Sequence, residues 1–253
     1  MSDKGFLKSF KVIPTDVYKM LGNEVHAHPY NKDEVFKIYV QAVGSSKNDA
    51  VSMRSAYEVL SQIIKEKPEL GEDVFGVLGV ALQNRKNNSL TYEAAYRAMG
   101  EIVKVRPDLA KPVFQALNET LDLKKNDMNS SYFACRVLDG VVEIRPELTE
   151  EAVDTLQHAT TMWPRGSLFV NASCKTMGYC AKAKPKLEKK ILGVFKEAIN
   201  RHKKQGFVMD CLHKAVDDVS KISPKLAKKM FEEIDKTEKA LTLATQNKNV
   251  KSF

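Results

Sequence analysis

Two sets of residues recur at a spacing of 39 and carry the charge that could do chemistry: Lys19, Glu58, Arg97, Arg136, Lys175 and Lys214, and seven residues on, His26, Lys65, Lys104, Glu143, Lys182 and Lys221. Seven residues is close to two helical turns, so on a helix both sets lie on one face. Small residues such as Gly22, Ser61, Gly100 and Gly178 stand between them and leave room for a ligand to approach the backbone. Fixed cations in this arrangement hold anions without covalent chemistry. Neighbouring helices lie about 8–10 Å apart, close to the Debye length at physiological salt, so the rungs repel each other little yet act together on an extended polyanion. The expected binding residues are Arg97, Lys104, Arg136, Lys175, Lys182, Lys214 and Lys221. The alternative is a solvated helix face whose Lys and Arg serve solubility.

A second basic group breaks a local rule. The helix starts that follow Pro29, Pro68 and Pro146 are acidic, with Asp33 and Glu34, then Glu69, Glu72 and Asp73, then Glu147, Glu150 and Glu151. The positive end of the helix dipole favours that choice. Equivalent places later hold Lys186, Lys189 and Lys190, then Lys225, Lys228 and Lys229. Lysines beside free helix N–H groups could take a phosphate or carboxylate. A solubilising end of the molecule would also account for them.

Cys135, Cys174 and His213 share one register, with Cys180 and Cys211 near in sequence. A zinc site needs such ligands to converge tetrahedrally, whereas residues in one register stand a helix spacing apart. All four cysteines are therefore expected as reduced, buried packing residues, with no metal and no cofactor. His158 and His202 are expected at the surface. Trp163, the only tryptophan, lies in Trp163-Pro164-Arg165-Gly166, where it either anchors a partner or closes its own helix. Phosphate-binding glycine loops, zinc-protease motifs and nucleophile elbows do not occur in the sequence, so no catalytic residue is assigned.

The elements that position these residues follow from the same period. Pro68, Pro107, Pro146, Pro185 and Pro224 stand 39 apart, and one more step back reaches Pro29, giving six copies. Before each proline, apolar residues at steps of three and four, such as Ala56, Leu60, Ile63 and Ile64, mark one helix. After it a second helix shows Leu70, Val74 and Leu78, matched by Leu109, Val113 and Leu117. Proline suits the first turn because its missing N–H has no partner there in any case. Asn48-Asp49, Asn87-Asn88 and Asn126-Asp127 then supply turn residues in phase, followed by Arg165-Gly166 and Lys204-Gln205-Gly206. The expected fold is all-α, with helix pairs stacking because no pair can bury its apolar stripe alone.

Arg106-Pro107-Asp108-Leu109 and the Ala-x-x-x-Met-Gly-x-Ile-Val of Ala95 to Val103 resemble the repeat of the HEAT-like α-solenoids, over about Thr15 to Leu243. That family's turn acid stands here only at Asp49 and Asp127. The resemblance implies a right-handed solenoid of six helix pairs whose concave side is lined by the helix before each proline. It implies binding rather than catalysis, with the HEAT-like DNA glycosylases as the exception.

The chain of 253 residues has a net charge of +8. Residues 168–253 hold 19 Lys and Arg against 9 Asp and Glu, so the excess belongs to the last third and points to an acidic partner. Expected organisation is a tail over 1–13, one repeat domain over 14–245 and a frayed tail over 246–253. The first residues lack the apolar core of a signal peptide, and no apolar run reaches membrane-spanning length. A monomer in the cytoplasm, or in the nucleus of a eukaryote, is expected. The leading reading is a non-enzymatic scaffold that binds an acidic protein or peptide. Nucleic-acid binding on the same track is the alternative, and a DNA glycosylase comes third.

Overall fold

The structure, a computed structural model, describes residues 15–28, 31–44, 50–82, 89–122, 128–161 and 167–250. Among them the chain is all-helical, and no helix is long and apolar enough to cross a membrane. The α-helices are α1 (Thr15–Ala27), α2 (Lys32–Gly44), α3 (Ala50–Glu66), α4 (Gly71–Leu82), α5 (Ser89–Val105) and α6 (Ala110–Asp122). They continue as α7 (Met128–Ile144), α8 (Thr149–Ala159), α9 (Ser167–Ala183), α10 (Glu188–His202), α11 (Gly206–Ser220) and α12 (Pro224–Val250). Helices α3, α5, α7, α9 and α11 begin at 50, 89, 128, 167 and 206, each 39 residues after the last.

The junction between the two helices of a pair is built the same way four times. Lys67, Arg106, Arg145 and Lys184 precede the prolines with φ between −142° and −126° and ψ between 73° and 78°. Proline excludes the α conformation from the residue before it, so the helix stops there. A single 3₁₀ turn follows, in which the N–H of Leu70, Leu109, Leu148 or Leu187 donates to the carbonyl of the residue before the proline at 2.9–3.0 Å. Each of these leucines is buried and pins the turn to the core. At the last junction Pro224 opens α12 directly, without the 3₁₀ turn. Helix α12 runs on to Val250, into the stretch 246–253 expected to be a tail.

Contacts divide the chain into two compact units, 1–116 and 117–253, with the division inside α6. In the first unit α1, α3 and α5 pack side by side, and α2 packs on α4 behind them. Its core holds the fully buried rings of Tyr18, Tyr39, Tyr57 and Tyr96, and the Tyr39 hydroxyl donates to the Tyr18 carbonyl at 2.9 Å. Burying a phenol is tolerable when its hydroxyl is bonded. Arg106 ties successive junctions together through the Pro68 carbonyl at 3.2 Å and the Asp108 carboxylate at 2.6 Å. In the second unit α7, α9 and α11 form one layer, and α8, α10 and α12 the other. Phe169, Phe195, Leu138 and Leu212 are fully buried within it.

A candidate anion-binding face

Arg136, Lys175 and Lys214 occupy equivalent positions on α7, α9 and α11, the adjacent helices of one layer of the second unit. None of the three makes an ion pair among the described residues. The Arg136 guanidinium instead lies 5.9 Å from the centroid of Tyr132, and the Lys175 ammonium 5.9 Å from that of Tyr179. Contact with a ring face steadies a cation without neutralising it. Lys214 is exposed and has neither.

The second set of cations behaves differently. Lys182 reaches across from α9 to the Glu143 carboxylate of α7 at 3.0 Å, and its ammonium also lies 5.8 Å from the Tyr179 ring. Lys221 bonds Asp218 at 2.7 Å, and Asp218 takes a further hydrogen bond of 2.9 Å from Asn171. The bond from Lys221, then that from Asn171, holds the Asp218 carboxyl below its usual range, while Glu143 and Asp218 raise Lys182 and Lys221. Both lysines are charged but already matched.

Between the two sets stands a carboxylate that the sequence reading passed over. Asp139 falls in the same register as Gly22, Gly100 and Gly178. Its carboxylate accepts a hydrogen bond of 2.6 Å from the Thr176 hydroxyl on α9. Burial pushes its carboxyl up to about 7, against the pull of Thr176, Lys175 and Arg136. The available signal was an acid in a register that holds Gly or Ser at four of its six positions, the other acid being Asp217.

In the first unit the equivalent residues are Lys19, Glu58 and Arg97. Arg97 pairs with Glu93 at 2.8 Å, Glu58 with Arg54 at 2.7 Å, and Lys104 and Lys65 converge on Glu101 at 2.9 and 3.7 Å. Lys19 makes no ion pair among the described residues; it borders a cleft of 430 Å³ between α1 and α3 shared with Glu58, Glu66 and Gln62. Arg97 and Lys104 are therefore paired with acids four and three residues before them, a spacing the sequence already displayed. No described residue has positive φ, so the glycines of this register serve space rather than backbone conformation. A Cβ at Gly22 would meet Val59 Cγ1 at 2.7 Å, whereas one at Gly100 would meet nothing within 4 Å.

Three of the six lysines at the starts of α10 and α12 have acidic partners on the neighbouring helix of their layer. Lys190 pairs with Asp154 of α8 at 2.7 Å, and Lys229 bonds Glu188 of α10, which Lys225 approaches at 3.9 Å. Lys186, Lys189 and Lys228 make no ion pair among the described residues.

Cys135, Cys174 and Cys180 are fully buried free thiols, and burial raises all three. His213 has Nε2 3.0 Å from Glu238 and stacks on Phe231. His158 is exposed. His202, expected at the surface, is instead 4% exposed, with Nε2 3.0 Å from the Thr160 carbonyl. The end of α10 packs against the end of α8, so a polar residue type gave no sign of its burial. Pro29, Trp163, the tail 1–13 and the turns Asn48-Asp49, Asn87-Asn88, Asn126-Asp127 and Arg165-Gly166 lie outside the described residues, as does the side chain of His26. Comparison of the chain with known protein families, curated proteins and solved structures returns no match.

Proposed function

We propose that the chain is a right-handed α-solenoid of six HEAT-like helix pairs over residues 14–245 and a non-catalytic module that binds an acidic protein segment. The binding face is the α7, α9 and α11 layer, with Arg136, Lys175 and Lys214 as the ligand-facing cations. The observation that carries this reading is selective pairing: Lys182 and Lys221 are matched by Glu143 and Asp218, while Arg136, Lys175 and Lys214 make no ion pair among the described residues. Unmatched cations at one position on successive helices favour a ligand with anions at the helix spacing of about 8–10 Å. An extended peptide rises about 3.1 Å per residue, so an acid at every third residue meets that spacing.

The test compares two peptides of equal charge, one with Glu at every third residue and one with the same Glu clustered, by fluorescence anisotropy. The spaced peptide should bind more tightly, and joint replacement Arg136→Glu, Lys175→Glu and Lys214→Glu should weaken it at least tenfold. Unchanged affinity in the triple variant would remove the face from the reading. Tight binding of mixed-sequence DNA, with log K falling by about 2–3 per unit of log salt for three phosphates, would give the face to nucleic acid instead.

A further inference from the structure

Of the seven large hydrophobic side chains left exposed among the described residues, four share one register: Val51, Leu90, Leu168 and Phe207. Each is the second residue of its helix, in α3, α5, α9 and α11. Chance exposure has no reason to respect a 39-residue step.

In the second unit α9 and α11 pack side by side, so Leu168 and Phe207, 54% and 48% exposed, stand at the same end of that layer. Helix α10 returns to this end and stops at His202, so Lys203 and Lys204 join it beside Phe207. Neither lysine has an ion pair among the described residues. The turns that lead into α3, α5, α7, α9 and α11 all contain Lys or Arg, and their only acids are Asp49 and Asp127. The opposite end pairs both signs at Arg106 with Asp108 and at Arg145 with Glu147, and turns basic at Lys186, Lys189 and Lys190 and at Lys225, Lys228 and Lys229 without an exposed large hydrophobic beside them.

We propose that this turn edge of the second unit docks on an anionic lipid surface, with Leu168 and Phe207 entering the interface and Lys203 and Lys204 contacting the lipid phosphates. A protein partner would bury a contiguous apolar centre ringed by polar groups. Here only one large hydrophobic per helix is exposed at this end, Leu168 on α9 and Phe207 on α11, and Lys203 and Lys204 stand beside the latter. A bilayer interface accepts such anchors one at a time, because acyl chains surround each side chain and anionic headgroups attract each lysine. Leu168 and Phe207 lie on the same helix faces as Lys175 and Lys214, about two turns nearer the helix starts.

The experiment is co-sedimentation of the full chain with vesicles of phosphatidylcholine alone or mixed with phosphatidylserine, followed also by the emission of Trp163, the sole tryptophan. Binding is expected only to the anionic vesicles. Leu168→Ser with Phe207→Ser should reduce it about tenfold, and Lys203→Glu with Lys204→Glu at least as much, since each lysine near such a surface contributes about fivefold. Circular dichroism checks that both variants fold. The triple variant Arg136→Glu, Lys175→Glu and Lys214→Glu should still sediment, which separates this surface from the peptide-binding face. Failure to bind anionic vesicles overturns the proposal, as does undiminished binding by the Leu168 and Phe207 variant. Loss of binding only in the triple variant does so too, as does a soluble acidic protein captured through this edge without vesicle binding.

Discussion

Thr176 on α9 donates its hydroxyl proton to the Asp139 carboxylate on α7 at 2.6 Å, although the Ala172 carbonyl one turn back lies within reach at 3.0 Å. A hydroxyl has one proton, and an ionised carboxylate draws it more strongly than a carbonyl does. When Asp139 is protonated its own O–H can donate to Thr176, which frees the threonine proton for Ala172. The pair thus has two bonded arrangements, one for each protonation state, beside Arg136 and Lys175.

Asp139 makes stability depend on pH. Its carboxyl lies at about 7 in the folded chain against 3.8 ordinarily. Between those values the folded state holds a proton that the unfolded state has lost, so stability falls as pH rises from about 4 to about 7. Asp139→Asn should flatten thermal melting across that window. It should stabilise the protein at pH 8 by about 2 kcal/mol, half the full linkage value because the group is half-buried. An unchanged pH profile would contradict the assignment.

Thr176→Val keeps the side-chain shape and removes the donor. The titration of Asp139, followed through its carboxyl carbon by NMR, should then move above 7. A shift downward would mean that the hydroxyl does not stabilise the ionised form.

Gly22 and Gly100 share a register but not a fate. Gly22→Ala places a methyl 2.7 Å from Val59 Cγ1, and a β-branched side chain on a helix has little freedom to turn aside. A loss of about 1–3 kcal/mol is expected, relieved by Val59→Ala. Gly100→Ala meets nothing and should gain about 0.5–1 kcal/mol from helix propensity. Chemical denaturation of the three variants checks the contrast.

The acids beside the proposed peptide face compete with its ligand. Glu143→Gln and Asp218→Asn each release a lysine, Lys182 or Lys221, for an incoming carboxylate. Affinity for the spaced acidic peptide should rise several-fold in either variant, and more in both, when titrated at low salt. A fall would place those carboxylates among the groups that recognise the ligand.

The helices were legible because their cause is local and repeated. A proline in phase, a buried leucine two residues later and apolar steps of three and four leave few alternatives at each junction. The charge state of the face was less legible. Arg97 and Lys104 are expected as binding residues from their register alone, whereas Glu93 and Glu101, one turn before them, take up their charge. Asp139 was overlooked because its environment comes from the neighbouring helix, where Thr176 and Lys175 are 37 and 36 positions away in the chain. Among the lysines opening α10 and α12, the pairing of Lys190 with Asp154 and of Lys229 with Glu188 crosses between helices and is not visible in the sequence. Sequence displays the members of an ion pair but not their apposition across helices.

Lys67, Arg106, Arg145 and Lys184 leave their helices with nearly superposable torsions and bond the following leucine at the same length. Their peptide groups are therefore interchangeable splice points. A stretch cut at Arg106 and at Arg145 begins and ends in the same backbone geometry, so it could be duplicated or excised in frame without designing a new linker, and the molecule could be lengthened or shortened by whole modules.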